Sequence, residues 1–220
     1  MPLQTFHNLS EDRQAQILDI AFEEFAMNDF DSASVSRIVK RLQLAKGSFY
    51  RYFSSKVDLY AYLMEVATQK RLENVEHLFE HASDFYELLV QNFYMKIKFD
   101  LAHPLIGQFL YNTSQERNSE VLGNLLIQTK QRIMGLTKPL LQSFQANGSI
   151  RTDIDSDLLA FAVVQIQMGI YDYLSIQHGI NLRERALNRN PVLDLPPETI
   201  MRIVRMFAEF LRTGLKPATT

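Results

Sequence analysis

The decapeptide Leu44-Ala45-Lys46-Gly47-Ser48-Phe49-Tyr50-Arg51-Tyr52-Phe53 decides how this chain is read. Its neighbours suit a short helix, and a glycine inside a helix costs about 1 kcal/mol relative to alanine. Such a glycine makes sense where another body must come close to the backbone. Lys46 and Ser48 flank Gly47 with a cation and a hydroxyl, and Tyr50 and Tyr52 each offer an apolar ring with a polar tip. Phe49 and Phe53, four apart, can turn back into a core. A packing helix that merely carries surface tyrosines is the other reading.

Working outward, the order of charges is more informative than their balance. Residues 1–60 hold seven Lys/Arg and eight Asp/Glu. From Ser32 to Val57 there is no acid, but there are six cations: Arg37, Lys40, Arg41, Lys46, Arg51 and Lys56. DNA carries one phosphate charge per ~1.7 Å of axis, so a surface that binds it must be locally positive. A solvated helix face that lacks acids by composition would look the same in sequence.

The flanks are helical in pattern. Between Leu3 and His103 there is no proline and only Gly47 among glycines. Ile17, Leu18, Ala21, Phe22 and Phe25 share one face of a helix that Asn28-Asp29 ends. Val35, Ile38, Val39 and Leu42 mark a short second helix with Ser34 as N-cap. Ser55-x-x-Asp58 reads as a capping box opening a long helix to about His81. Two short helices joined by a tight turn within such a set make a helix–turn–helix. Further helices are predicted over about 84–101, 104–112, 119–146, 155–178 and 198–213, with a kink at Pro139. Residues 179–197 read as the most loop-like stretch.

At residues 13–63 the chain resembles the DNA-binding domain of TetR-type bacterial transcriptional regulators. The matching residues are Ile17, Ala21 and Phe25, then Ser34, Val35 and Ile38, then Lys46, Gly47, Ser48, Phe49, Tyr50, Tyr52, Phe53, Lys56 and Leu59. Two positions depart from the pattern: Gln43 replaces the turn glycine, and Ala45 replaces the serine that opens the recognition helix. A left-handed non-glycine at position 43 would cost roughly 1–2 kcal/mol.

The resemblance implies an all-α fold of about nine helices. A three-helix head over 1–55 would be joined by a long helix to a larger ligand-binding and dimerisation domain over 56–220. It implies a homodimeric repressor that binds a pseudo-palindromic operator with heads about 34–36 Å apart. The third helix would enter the major groove with Lys46, Gly47, Ser48, Tyr50 and Arg51, Lys46 meeting a guanine edge or a phosphate. Ser34, Arg37, Tyr52 and Lys56 would hold the phosphate backbone. A small apolar or aromatic effector would release the DNA from a pocket drawn from Phe93, Phe99, Phe109, Tyr111, Phe144, Phe161 and Tyr171. The dimer surface would use Leu158, Leu159, Ala162, Ile166, Ile203, Val204, Phe207 and Leu211, unless those apolar faces serve the chain's own core.

Other classes are less well served. Without cysteine there is no disulfide, thiol nucleophile or zinc knuckle. His77 and His81 are four apart and could hold a metal, but a solvated, charged helix face explains them better, and no metal or cofactor is expected. No local nucleophile–base–orienter set marks an enzyme. No run approaches the ~20 apolar residues of a membrane span, and no signal pattern opens the chain, so a cytoplasmic protein is expected. A DNA-binding factor without an effector, controlled by a partner protein or its own abundance, is the alternative.

Overall fold

The computed structural model describes residues 2–75, 77–78, 83–116, 121–188, 190, 193 and 195–215. Of Lys46, Arg183, Ala186 and Leu187 it describes the backbone alone. Every regular element among the described residues is an α-helix: α1 (Gln4–His7), α2 (Glu11–Met27), α3 (Val35–Arg41), α4 (Lys46–Phe49), α5 (Lys56–Glu73), α6 (Phe85–Ala102), α7 (Pro104–Gln115), α8 (Gly123–Ala146), α9 (Ser156–His178), α10 (Leu182–Leu187) and α11 (Pro197–Leu215). The chain divides into two compact units.

The first unit comprises residues 1–72, 100–125 and 182–192. Its core is a cluster of rings set edge to face. Tyr60 meets Phe25 at 5.1 Å, Phe30 at 5.2 Å and Phe109 at 5.2 Å, and Phe109 meets Phe22 at 5.4 Å. Tyr60 also shares a hydrogen bond of 3.0 Å with Thr113. Burial pushes its pKa up to about 12. Gly107 lets α7 close onto Asp100: a Cβ there would come within 2.9 Å of that carboxylate. Asp100 is itself ion-paired with Arg71.

The second unit comprises residues 73–99, 126–181 and 193–220. Phe85 packs on Phe144 at 5.5 Å and Phe93 on Tyr171 at 5.4 Å. Lys96 donates to Gln167 at 2.9 Å. Asp155 caps α9 by accepting from the N–H groups of Asp157 and Leu158, and Gly179 ends it with φ of 62°.

Several elements differ from the sequence reading. The helix predicted to run from Ser55 to about His81 ends at Glu73, with a turn at Asn74, a residue that favours turns; His81 lies outside the described residues. The helix expected from Ser119 starts, as described, at Gly123, and Ser119 lies outside the described residues. It continues through Pro139 as one element. The loop-like stretch after Gly179 contains α10, packed on α2 and α7. Helix α1 has no counterpart in the sequence reading. By length and composition α9 could cross a membrane, but its longest unbroken apolar run is the seven residues Leu158–Val164, and 39% of its most apolar stretch is buried within the chain.

Candidate nucleic-acid interface

The site is built on the turn between two short helices. The Ser34 hydroxyl accepts from the Arg37 N–H at 3.4 Å and so caps α3. Ile38 and Val39 bury the inner face of that helix. The chain then reverses through Gln43, which adopts the left-handed conformation with φ of 54°. Its N–H donates to Lys40 at 3.1 Å, and the Leu44 N–H donates to Val39 at 2.9 Å. The turn is therefore made in its left-handed form with a glutamine, in a backbone region that disfavours side chains.

Ala45 stands at the N-cap of α4 without a side-chain hydrogen bond, as alanine must. Phe49 and Phe53 are buried, as their spacing predicts. Tyr50 is 50% exposed, and Gly47 and Arg51 are exposed beside it. Ser48 and Tyr52 are half-buried. A Cβ built at Gly47 would meet nothing within 4 Å. No internal packing demand explains the glycine, and the surface over it is open. The Lys46 side chain lies outside the described residues.

Helix α1 supports this segment from behind, which the sequence reading missed. The Leu3 N–H donates to the Tyr52 carbonyl at 2.8 Å, and the Thr5 hydroxyl donates to the Arg51 carbonyl. Phe6 is fully buried, with its ring 5.1 Å from Phe53 and 6.4 Å from Tyr52. A single buried Phe six residues into a chain gives little periodicity to detect.

The window without acids in sequence is not without acids in space. Arg37 donates to Glu24 at 2.9 Å, and Arg41 pairs with Glu23 at 2.9 Å. The Glu24 hydrogen bond, more than its charge, raises the Arg37 pKa. Glu24 also accepts from the Ser34 N–H at 2.7 Å, so it ties α2 to the start of α3. Lys56 donates to the carbonyls of Phe30 at 2.7 Å, Ala33 at 3.0 Å and Asp31 at 3.3 Å, and lies 4.4 Å from the Phe30 ring centre. An ammonium has three donors, and all three are directed to the loop between α2 and α3. Among the described residues Lys40 and Arg51 remain exposed without a carboxylate partner.

The residues expected in an effector pocket are not gathered in one place. Phe109 is in the ring cluster of the first unit, whereas Phe93 meets Tyr171, and Phe144 meets Phe85, in the second. Phe99 is buried and Tyr111 half-buried. Phe161 is 48% exposed and lines no interior. A groove of about 290 Å³ in the first unit is lined by Leu18, Phe22, Val66, Lys70 and Ile106 among others, and by none of those aromatics.

The residues expected at a dimer surface divide similarly. Leu159, Ile203 and Val204 are buried within the chain, because α9 and α11 turn those faces to their own core. Ala162, Ile166, Phe207 and Leu211 are half-buried. The exposed apolar side chains are Leu158, Phe161, Tyr173 and Ile176 on α9, with Met206 and Phe210 on α11. Tyr173 and Phe207 join the two helices at a ring distance of 5.7 Å.

Residues 17–63 match the family described as "Bacterial regulatory proteins, tetR family". The chain is 34% identical over 89 residues to an uncharacterised HTH-type transcriptional regulator, YvdT, of Bacillus subtilis (strain 168). That match covers 40% of this chain and 43% of the relative, less than half its length. A crystal structure of a TetR family transcriptional regulator from Chloroflexus aurantiacus is similar with a TM-score of 0.74 and 26% identity, over 98% of both chains. The fatty acid degradation regulator FadR of Bacillus halodurans shares the fold with a TM-score of 0.67 and 18% identity, over 92% of this chain and 99% of that one.

Proposed function

The chain belongs to the TetR family of transcriptional regulators, and we propose that it is a homodimeric repressor, working in the cytoplasm on a pseudo-palindromic operator. The observation that carries this reading is Gly47: a helical glycine, exposed, with no atom of the chain near the place its side chain would occupy. Close to it in the chain are the exposed Tyr50 and Arg51. This is the surface a groove edge requires, with backbone within reach and donors on both sides.

In this reading residues 1–55 form the reading head and 56–220 serve effector binding and dimerisation. Lys46, Gly47, Ser48, Tyr50 and Arg51 face the major groove. Ser34 and Tyr52 meet phosphate. Arg37 and Lys56 act from behind, since Glu24 and three carbonyls hold their donors. The exposed stripe of α9 and α11 supports dimerisation, because apolar side chains in this number at helical spacing are costly to leave in water. Two heads held together read two half-sites and gain affinity neither has alone.

A small effector with an apolar or aromatic body is the proposed releasing signal. The second unit supports it with the Phe93–Tyr171 pair and with Asn92, whose Oδ1 is buried and has no hydrogen-bond partner among the described residues. A ligand donor would satisfy that oxygen. The close ring packing around Phe109 favours a second reading, in which the regulator has no effector and responds to a protein partner or its own abundance. The relatives are regulators of transcription, and no enzymatic activity is proposed.

Fluorescence anisotropy against duplex DNA from upstream of the protein's own gene, with a scrambled duplex as control at two salt concentrations, tests the reading. Tight binding that exceeds the control and survives moderate salt is expected. Lys46→Ala should weaken the specific duplex by about 1–3 kcal/mol if Lys46 reads a base. An even loss on both duplexes would make it a phosphate contact, and no loss on either would remove its role.

A further inference from the structure

The loop over residues 28–34, which joins α2 to α3, is held by a helix that follows it much later in the chain. Asn112 of α7 donates through Nδ2 to the carbonyls of Phe25 at 3.1 Å and Ala26 at 2.9 Å. Those carbonyls belong to the last turn of α2, where no further helical N–H arrives to take them. The carboxamide of Asn112 thus caps α2 from outside. Its Oδ1 accepts from Gln108 Nε2 at 2.7 Å, which fixes which end of the amide faces α2. Gln108 is buried, so packing holds its side chain in turn.

One turn further along, Glu116 accepts through Oε2 from the Phe30 N–H at 3.2 Å. The same residue's carbonyl is held by Lys56, and its ring lies in the core against Tyr60. Both polar groups of the Phe30 backbone are therefore pinned, five residues before α3 begins at Val35. A loop fixed at Ala26 and at Phe30 has little freedom to change the direction in which it launches α3. Helix α4 packs on α3, so it follows.

Resting on the DNA reading above, we propose that Asn112 and Glu116 are positioning residues for recognition: lying outside the reading head's own sequence, they set the pose in which α3 and α4 meet the duplex. Neither residue touches DNA. Their effect passes through two backbone segments, and it concerns geometry rather than charge.

The test uses the full chain with Glu116→Ala, Glu116→Gln and Asn112→Asp. Anisotropy on the upstream and scrambled duplexes is paired with amide hydrogen exchange over residues 28–37. Glu116→Ala and Asn112→Asp should each weaken the specific duplex about tenfold, the scale of one backbone hydrogen bond. Binding to the scrambled duplex should not change, because the exposed cations Lys40 and Arg51 are intact. Exchange at residues 30–37 should quicken in both variants. Glu116→Gln keeps an acceptor oxygen and should behave as the wild type in both measurements. Should Asn112→Asp fail to fold, the Glu116 pair carries the test. Equal loss on both duplexes, lost binding with unchanged exchange, or Glu116→Gln matching Glu116→Ala would each overturn the proposal. A wild type that binds neither duplex would overturn the DNA reading itself, and the exchange measurement alone would then decide whether Asn112 and Glu116 hold the loop.

Discussion

Helices α4 and α9 both leave a face uncovered, and the two faces are opposite in kind. Helix α4 is four residues long and presents a glycine and a hydroxyl, with the tip of Tyr50 at its C-cap. The face of α9 belongs to a helix of 23 residues and presents Leu158, Phe161, Tyr173 and Ile176. One surface offers hydrogen-bond donors and access to backbone. The other offers apolar area, interrupted by Gln165 and Asp172. Partners are sorted by such differences: a phosphate-rich groove gains nothing from Ile176, and a second apolar helix gains nothing from Gly47.

The largest expected effect breaks the apolar side of this contrast. Ile176 and Phe210 are 77% and 72% exposed, so Ile176→Glu with Phe210→Glu should leave the fold intact. Sedimentation should then report monomers. Specific DNA affinity should fall at least a hundredfold, the lower end of what linking two heads contributes, roughly 10²–10⁴. A dimer that persists would assign the stripe to another use.

The next prediction probes the interior on which α4 depends. The Tyr60 hydroxyl ionises in the folded chain at about 12 rather than 10, chiefly through burial, with the Thr113 hydrogen bond opposing and Glu116 adding. The unfolded chain therefore loses that proton first. Its contribution to stability is whole below pH 10 and is lost as pH rises towards 12, at most about 2–3 kcal/mol. Urea unfolding between pH 9 and 12 should show this fall, and Tyr60→Phe should flatten part of it. Tyr62 and Tyr86 are raised by burial too and will supply a residual slope.

The smallest effect separates folding from recognition on α4 itself. Gly47→Ala meets no neighbour within the chain, so thermal stability should hold or rise by up to about 1 kcal/mol from helix propensity. Affinity for the specific duplex should fall by ~1–3 kcal/mol, the usual range for overpacking a close contact. A variant that binds as well as the wild type would place the groove elsewhere.

Much of this architecture is legible in the sequence, and the remainder fails for identifiable reasons. Ser34, Asp155 and Gly179 mark helix ends because capping is a local matter of a few residues. Phe49 and Phe53 are placed inward by their spacing alone. The partners of Arg37 and Arg41 are hidden, since Glu24 and Glu23 lie on another helix and only folding brings them across. The same is true of Asn112 and Glu116, which act on residues 86 or more positions away. On α9 and α11 composition announces two apolar faces but not which of them the core takes. Leu158 and Leu159 are adjacent and identical, yet one is exposed and the other buried. Choosing between them requires knowing where the neighbouring helices stand.

The brevity of α4 has a consequence for anyone who would borrow it. A first helical turn is unfavourable to nucleate, and isolated helices shorter than roughly 12–15 residues are marginal in water. Residues 44–53 excised as a synthetic peptide would keep the letters of the motif and lose its shape. What makes them a helix is Phe6 behind Phe53, the α1 donors to Arg51 and Tyr52, and the buried rings of Phe49 and Phe53. A graft onto a foreign scaffold would have to carry that backing with it, and the smallest portable piece is a folded unit rather than a string of ten residues.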